Sequence, residues 1–335
     1  MSSNTTRSLL RLIVILCIFA GAVAARAQEL FSEDQQAIPP SIDAMYVKGM
    51  RYLAGKQNDD GGWDGPFGNE PGVIGLSLLS ILAHGDDPNY GPYHDTIHRA
   101  IDSILTDQDP NTGYIGTSMY NHGFATLALA EAYGQVHDER IGPALRKAVD
   151  LILNSQSRNP QGAWRYSPDS SDADTTVSGA QLVALFAARN AGIGVPEASI
   201  QKALQFFIQC QSPDGGVGYT AQGNPDGART AITALVFSLA KQQKSAVYRS
   251  AMDYLVANQT GQELYLQYYL YYAAQAYFRA SPRAFDDWNA ANVKSLENTQ
   301  LDDGSWSSQL GPTFSTAASL LSLALNYKLL PIYER

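Results

Sequence analysis

The sequence predicts an all-α protein, an α/α toroid (α6/α6 barrel) in which six helix pairs form two concentric layers. Three observations lead to this prediction. A loop motif of glutamine, glycine and tryptophan recurs roughly every 50 residues. Each copy of the motif lies between two helical patterns. The first helix of each pair is amphipathic, whereas the second is apolar on most faces.

The loop motif is clearest in residues 55–65, GKQNDDGGWDG, and its glutamine recurs in register with the helices. The anchoring glutamines are Gln57, Gln108, Gln156, Gln211 and Gln300. The last interval is nearly twice as long as the others, so a degenerate copy is expected within it. Gln259, in VANQTGQELY, fits that place. The chain is therefore predicted to contain six repeats.

The helical patterns assign the two layers of the toroid. In the first repeat, SIDAMYVKGMRYLAGKQ places charges between its apolar positions, whereas PGVIGLSLLSILAHG is apolar almost all round. Amphipathic helices should form the outer, partly solvated layer, and apolar helices the buried inner layer. A closed ring is favoured over an open solenoid because neither end of the array shows a polar cap.

The loops are predicted to have a structural role and not a catalytic one. Their glycines allow the chain to reverse between antiparallel helices, and their aspartates can cap the next helix. The anchoring glutamines and the loop tryptophans are expected to fasten each repeat to the next. These tryptophans are Trp63, Trp164 and Trp306.

The N-terminus predicts a secretory signal peptide. Arg7 and Arg11 precede a short apolar run, and Ala25-Arg26-Ala27 forms a small-x-small cleavage site. The alternative is an uncleaved anchor, although the run is short for a span of ~20 residues. The expected division is a signal peptide over 1–27, an extension over 28–40 and a single toroid domain over 41–335. The protein is accordingly expected to be periplasmic or secreted, without stable membrane insertion after cleavage.

Charge and cysteine content limit the partners. The formal net charge is −9 and the sequence contains no cluster of lysine or arginine. Both features argue against binding of nucleic acid or anionic lipid. Cys210 is the only cysteine after the leader, so neither an intramolecular disulfide nor a cysteine-rich metal site is expected. His94 and His98 are spaced for zinc on a helix, but no third ligand is evident. No metal and no cofactor are therefore predicted, and no particular protein partner is indicated.

The glutamine followed by a Gly-Gly-Trp or Gly-Ser-Trp turn, repeated between paired helices, resembles the repeat of squalene–hopene cyclases, oxidosqualene cyclases and protein prenyltransferase β subunits. The resemblance covers roughly residues 43–328 and is strongest to exported bacterial members of this group. It implies a toroid with a central pocket for an apolar, polycyclic or isoprenoid-type ligand. The prenyltransferase zinc site is not implied, because no Asp-x-Cys sequence occurs.

The same resemblance implies a candidate acid. Class II cyclases protonate their substrate with the middle aspartate of an Asp-x-Asp-Asp-Thr motif. In SDADTT, Asp172 and Asp174 match the first two aspartates and Thr175 replaces the third. By position Asp174 would be the acid, provided that its carboxyl is held protonated. The alternative is that Asp174 caps an inner helix, whose positive end favours the ionised carboxylate.

Polar residues cluster where the inner helices begin, and connectivity places all six of these beginnings at one mouth of the ring. They are Glu70, Tyr120, Asn121, His122, Asp172, Asp174, Asp226, Arg229 and Thr313. Such a set suits a site for an anionic or hydroxylated group, although each residue could instead cap or tether its own helix. Asp172, Asp174 and His122 are the catalytic candidates. Tyr120, Asn121 and Arg229 are the binding candidates, and Arg229 is expected to interact with Asp174, directly or through water.

The fifth inner helix carries a tyrosine stripe. ELYLQYYLYYAAQAYF places Tyr265, Tyr268, Tyr269 and Tyr272 near one face at the helical period. The stripe could line a site for a carbocation or a stacked sugar, or could be ordinary packing.

Two classes of function follow. The first is an enzyme, terpene-cyclase-like or carbohydrate-active. The second is a non-catalytic module that holds an apolar or glycan ligand, or a protein. A dry aromatic cavity around Asp174 would favour terpenoids, and separated carboxylates in a cleft would favour sugars.

Overall fold

The computed structural model describes residues 38–258 and 264–333. The expected signal peptide, nearly all of the extension over 28–40, and Gln259 lie outside the described residues. The helices form one compact unit from Ser41 onward. The helices are α1 Pro40–Lys56, α2 Pro71–Leu82, α3 His94–Thr106, α4 Met119–Ala132, α5 Ile141–Arg158, α6 Thr175–Asn190, α7 Glu197–Cys210, α8 Gly227–Leu239, α9 Ala246–Ala257, α10 Leu266–Ala280, α11 Pro282–Thr299 and α12 Pro312–Ala324.

The predicted all-α class is confirmed. Within the described ranges the only β pairings are isolated bridges in the loops, such as the one between Gln57 and Trp63. None of the helices described is both long and apolar enough to cross a bilayer.

The even-numbered helices form the inner layer. Every residue of α2 is buried, and α4 buries all but Tyr120. Outer helices bury one face only, as α3 does with Ile97, Ile101 and Ile104. The inner helices pack in the order α2, α4, α6, α8, α10, α12, and α12 packs against α2. The ring is therefore closed, and α4 lies opposite α10.

The anchoring glutamines fasten consecutive repeats. Gln57 donates its Nε2 hydrogens to the carbonyl oxygens of Gly61, in its own loop, and Thr96, in the next outer helix, both at 3.0 Å. The same pair of bonds, to its own loop glycine and to the following outer helix, is made by Gln108, Gln156, Gln211 and Gln300. Because these five side chains sit at equivalent positions, the sequence repeat corresponds to a repeated structural joint.

The loop glycines are required at this joint for two reasons. Gly61 has φ +85°, in the left-handed region that side chains avoid. A Cβ atom placed there would lie 2.1 Å from the carbonyl oxygen of Arg99 in the next outer helix. The loop can therefore approach its neighbour closely only where it lacks a side chain.

The tryptophans act within a repeat, which differs from the expectation. Trp63 is 1% exposed and its Nε1 donates to Leu53 O at 2.8 Å, in its own outer helix. Trp164 and Trp306 do the same. The loop aspartate Asp60 also differs from the expectation. It accepts a hydrogen bond from Gly62 N and stabilises its own turn instead of capping α2.

The end of the ring opposite the inner-helix N-termini is covered by the C-terminal segment Pro331–Tyr333. Ile332 and Tyr333 are each 2% exposed. The backbone N–H of Ile332 donates to the buried carboxylate of Glu131 at 3.3 Å, and Arg279 donates to the Ile332 carbonyl. The C-terminal segment therefore covers the end of the ring that lies opposite the inner-helix N-termini.

Candidate functional site

A cavity of about 720 Å³ lies at the N-terminal ends of the inner helices. Most of its wall is apolar, and aromatic rings come from several repeats. These rings belong to Phe67, Tyr120, Phe124, Tyr166, Tyr219, Tyr265, Tyr268 and Phe314. The polar mouth expected from the sequence is therefore the rim of an aromatic cavity.

The inner helices α4 and α10, which face each other across the ring, both contribute side chains to the cavity lining. Phe124 and Tyr271 meet with ring centroids 6.2 Å apart. Beside them, Tyr268 and Tyr272 pack edge to face at 5.0 Å. The hydroxyls of Tyr268 and Tyr272 are buried, and burial raises the pKa of both, so they stay neutral.

One carboxylate of the cavity, Glu70, is held by neutral donors. Glu70 precedes α2, and Asn121 of α4 donates to its Oε2. Thr117 Oγ1 donates to the same oxygen at 3.3 Å. Asn121 Oδ1 accepts from the backbone N–H of Gly72 at 3.2 Å, so the asparagine ties the starts of α2 and α4 together and orients Glu70.

The second carboxylate, Asp226, is paired with Arg229. Asp226 caps α8 by accepting from Arg229 N at 2.8 Å. Its other oxygen lies 3.0 Å from the Arg229 guanidinium, which also donates to Asn224 O. Arg229 Nε is buried and has no hydrogen-bond partner. This arginine lines the cavity, as expected, but its positive charge is already compensated by the carboxylate of Asp226.

Asp174 caps α6 and lies outside the cavity lining. It is 0% exposed, and its Oδ1 accepts from Thr176 N at 2.9 Å, Val177 N at 2.8 Å and Thr176 Oγ1 at 2.6 Å. Burial raises the pKa of this carboxyl, and these donors together with Arg165 offset part of the increase. The side chain that lines the cavity here is Thr176.

The cation beside Asp174 is Arg165, whereas Arg229 forms its direct ion pair with Asp226 and not with Asp174. Arg165 lies 3.6 Å from Asp174 Oδ2 and 3.2 Å from Asp172, whose side chain is 60% exposed. Its guanidinium also lies over the rings of Tyr166 and Tyr219, at 5.4 and 5.2 Å. The two tyrosine hydroxyls are 2.7 Å apart. Arg165 therefore supports one wall of the cavity, and Asp172 lies outside the lining.

His122 is buried and lies outside the cavity lining, which differs from its expected place in the site. It is 0% exposed, its Nδ1 accepts from Ile115 N at 3.1 Å, and its Nε2 donates to Ala148 O at 3.0 Å. The equivalent loop N–H in three other repeats donates to a hydroxyl, that of Ser178, Thr230 or Thr316. Burial lowers the pKa of His122 to about 4, so the ring is neutral at pH 7.

Two tyrosines of the stripe line the cavity, and the other two are buried in the core. Tyr265 and Tyr268 line the cavity together with Tyr120 and Asn121. Tyr269 and Tyr272 are 7% and 0% exposed and lie outside the lining. Half of the expected tyrosine wall is thus core packing.

Sequence reasoning missed the wall residues Tyr166 and Tyr219. Each lies two positions after the buried residue of its loop, Trp164 or Val217. Thr117, which also lines the cavity, has the same place after Ile115. Alignment of the repeats on this register would have identified all three.

The described residues contain no group of three metal-binding side chains. His94 and His98 lie side by side on α3 with ring centroids 6.2 Å apart. Cys210 is buried, and burial raises the pKa of its thiol to about 12.

Solved structures with two different activities share this fold. A variant of the type II terpene cyclase MstE from Scytonema, in complex with geranylgeranyl dihydroxybenzoate, is 15% identical with a TM-score of 0.58, and the alignment covers 87% of this chain and 99% of that chain. An inactive variant of an α-1,6-mannanase from Salegentibacter sp., in complex with α-1,6-mannotriose, is 8% identical with a TM-score of 0.65, covering 86% and 99%. A family 76 glycoside hydrolase from a bovine Bacteroides thetaiotaomicron strain is 11% identical with a TM-score of 0.66, covering 86% and 77%.

At these identities the likeness shows the α/α toroid and nothing finer. No curated protein sequence matches the chain. Residues 43–266 match the model of a family described as Domain of unknown function (DUF6288). Since this match spans well over half of the sequence, the chain belongs to the DUF6288 family.

Proposed function

We propose that the protein binds an amphipathic small molecule whose apolar body is polycyclic or isoprenoid-like. The observation that carries this proposal is the cavity of about 720 Å³ with its aromatic wall. Within the part of the chain that the structure describes, the charged lining residues are Glu70, Asp226 and Arg229. A concave, mainly apolar site with a few placed polar groups is typical of small-molecule binding. Burial of the apolar body would supply most of the affinity.

Alkene protonation by Asp174 is not part of this proposal. A general acid must reach the atom that it protonates. Asp174 is fully buried, lies outside the lining and uses Oδ1 to cap α6. Its raised pKa would favour a retained proton, but the carboxyl has no surface on the cavity.

A carbohydrate-active function is the second candidate, and one observation favours it. Glu70 and Asp226 both line the cavity, at the starts of α2 and α8, which face each other across the ring. Glycosidases use two carboxylates that flank the scissile bond, and tyrosine faces suit stacked sugars. We rank this candidate second because Asp226 already caps α8 and pairs with Arg229.

We also propose that the protein is exported, that residues 1–27 are removed, and that 41–335 is one toroid domain after a short extension. The basic start, short apolar run and small-x-small site of the leader support this proposal. Expression of the whole chain in a Gram-negative host, followed by fractionation and N-terminal sequencing, should give a periplasmic protein that begins at Gln28. An intact leader on membrane-bound protein would instead indicate an anchor.

The binding proposal is tested by displacement of a fluorescent apolar probe from the purified protein. Geranylgeraniol should displace the probe, and mannotriose should not. Ala228→Phe, in the lining, should fill the cavity and abolish binding, whereas Ala221→Phe, on an exposed loop, should leave binding unchanged. Circular dichroism checks the fold of both variants. Displacement by mannotriose alone would favour the carbohydrate candidate, and equal binding by both variants would contradict the site.

A further inference from the structure

We infer that the cavity selects a cationic ligand, with an amine or quaternary ammonium group held between Glu70 and the aromatic wall. This inference rests on the proposed function and adds the charge of the ligand's polar end. The apolar wall does not determine the charge of the ligand's polar end, whereas the charged lining residues do.

Glu70 is a negative charge that pairs with no cation of the described residues. Its partners, Asn121 and Thr117, are neutral and both donate to Oε2. Among the described residues no lysine, arginine or histidine lies within ion-pair distance of Glu70. The first turn of α2 partly offsets the carboxylate through its dipole, which amounts to about half a unit charge. A net negative charge therefore remains on this side of the cavity.

A second acid strengthens this field. Burial raises the pKa of Asp107, and the nearby charge of Glu70 raises it further, whereas a hydrogen bond from Gly116 N lowers it. Asp107 itself is exposed and lies outside the cavity lining, so its contribution is small beside the charge of Glu70.

The one cationic side chain among the described lining residues does not compensate Glu70. Arg229 is the lining arginine, and its guanidinium is already paired with Asp226 at 3.0 Å and donates to Asn224 O. Among the described residues the lining therefore carries two carboxylates and one guanidinium, a formal charge of −1. An anionic ligand would have to approach Arg229 past both carboxylates.

The wall also suits a cation better than an anion. Tyr120 and Phe124 stack at 6.3 Å, and Tyr120 meets Tyr166 at 5.8 Å. These three rings all line the cavity. Aromatic faces carry negative electrostatic potential and attract ammonium groups, most strongly where water is excluded. The described residues offer no cluster of metal-binding side chains, so an organic cation fits the site better than a metal ion.

The test uses three probes with the same apolar chain and different heads: dodecyltrimethylammonium, dodecanol and dodecanoate, each below its aggregation concentration. Calorimetry at pH 7 should give an affinity for the ammonium probe at least about tenfold above that for the alcohol, with dodecanoate the weakest. Glu70→Gln should lower the affinity for the ammonium probe to that for the alcohol and leave alcohol binding within about twofold. Asp150→Asn, the same charge change on the exposed face of α5, should alter none of the three affinities.

Equal affinities for the three probes, or unchanged ammonium binding by Glu70→Gln, would overturn the inference and leave the apolar cavity intact. Tightest binding of dodecanoate would overturn it in favour of an anionic ligand at Arg229. Binding of none of the probes would overturn the proposed function itself. Melting curves of both variants exclude unfolding as the cause of a loss.

Discussion

Phe124 of α4 and Tyr271 of α10 meet at the centre of the ring, with centroids 6.2 Å apart and planes at 66°. The two helices are opposite members of the inner layer, so this contact spans the toroid. Both side chains are nearly buried, at 5% and 3% exposure. Phe124 lines the cavity and Tyr271 packs against it outside the lining, so the pair joins opposite sides of the inner layer next to the cavity.

Phe124→Ala should both destabilise the protein and deepen the cavity. Truncation of a buried phenylalanine costs about 3 kcal/mol, at the low end of its range here because one side of the ring borders the cavity. Urea denaturation measures the loss. Phe67→Ala is the control, because that ring is 47% exposed and its removal should cost less than about 1 kcal/mol. Equal losses in the two variants would show that the cross-ring contact is not structural.

Gln300→Met should weaken the closure of the ring. Gln300 donates to Met45 O and Gly304 O, both at 2.9 Å, and joins the last loop to the first helix. Loss of two partly buried hydrogen bonds should lower the free energy of unfolding by about 2 kcal/mol. Hydrogen exchange should increase mainly in α1 and α12. Gln222→Met, on an exposed loop, should behave like wild type, and exchange that rises uniformly over all helices would argue against a local closure.

The fold could be predicted because its determinants repeat. The anchoring glutamines, the positive-φ glycines and the contrast between outer and inner helices occur in several copies, so each copy supports the others. Gln57 and Gln300 illustrate this, since their bonds are the same although the second closes the ring. The direction of the tryptophan bonds was not predictable, because an indole N–H can reach either its own outer helix or the next one.

The site was predicted less well because residues at helix starts can face in different directions. Tyr120, Asn121 and Arg229 face the cavity. His122, one residue after Asn121, points towards the outer layer and donates to Ala148 of α5. A rotation of about 100° per residue separates such neighbours, and the sequence does not state which face points inward. Arg165 was missed because its partners, Asp174 and Tyr219, belong to two different loops.

His122 should make the protein less stable at acidic pH. Its pKa is about 4 in the folded state and about 6.5 when unfolded. Between these values the unfolded chain binds a proton that the folded chain does not, so stability falls as the pH decreases from about 6.5 to about 4. The total effect should approach 3 kcal/mol.

His122→Thr isolates this contribution, because threonine occupies the equivalent position at Thr230 and Thr316 and accepts the loop N–H there. Urea denaturation at several pH values should show a smaller loss of stability in the variant than in wild type over this window. Parallel pH profiles would mean that His122 titrates normally in the folded protein.

Arg165→Gln should destabilise the protein in a way that depends on the protonation of Asp174. The side chain of Arg165 is 24% exposed and that of Asp174 is 0% exposed, with 3.6 Å between the charged atoms. Loss of the cation leaves a buried carboxylate unpaired, and for a partly exposed arginine at this distance the cost should be about 2 kcal/mol at pH 7. Because burial already raises the pKa of Asp174, removal of the arginine raises it further.

The folded state of the variant then binds a proton more readily than wild type does. The difference in stability between the two proteins should therefore be fully present above the raised folded pKa of Asp174. It should shrink as the pH falls through that pKa, since a protonated carboxyl no longer needs the cation. The double variant Arg165→Gln/Asp174→Asn should recover most of the loss at pH 7, although the contacts of Arg165 with Tyr166 and Tyr219 stay missing.

Arg158→Gln is the matched control, because its pair with Asp169 is exposed on both sides and should contribute less than about 0.5 kcal/mol. A loss in Arg165→Gln that is independent of pH, and that the double variant does not repair, would assign the role of Arg165 to the tyrosine wall alone.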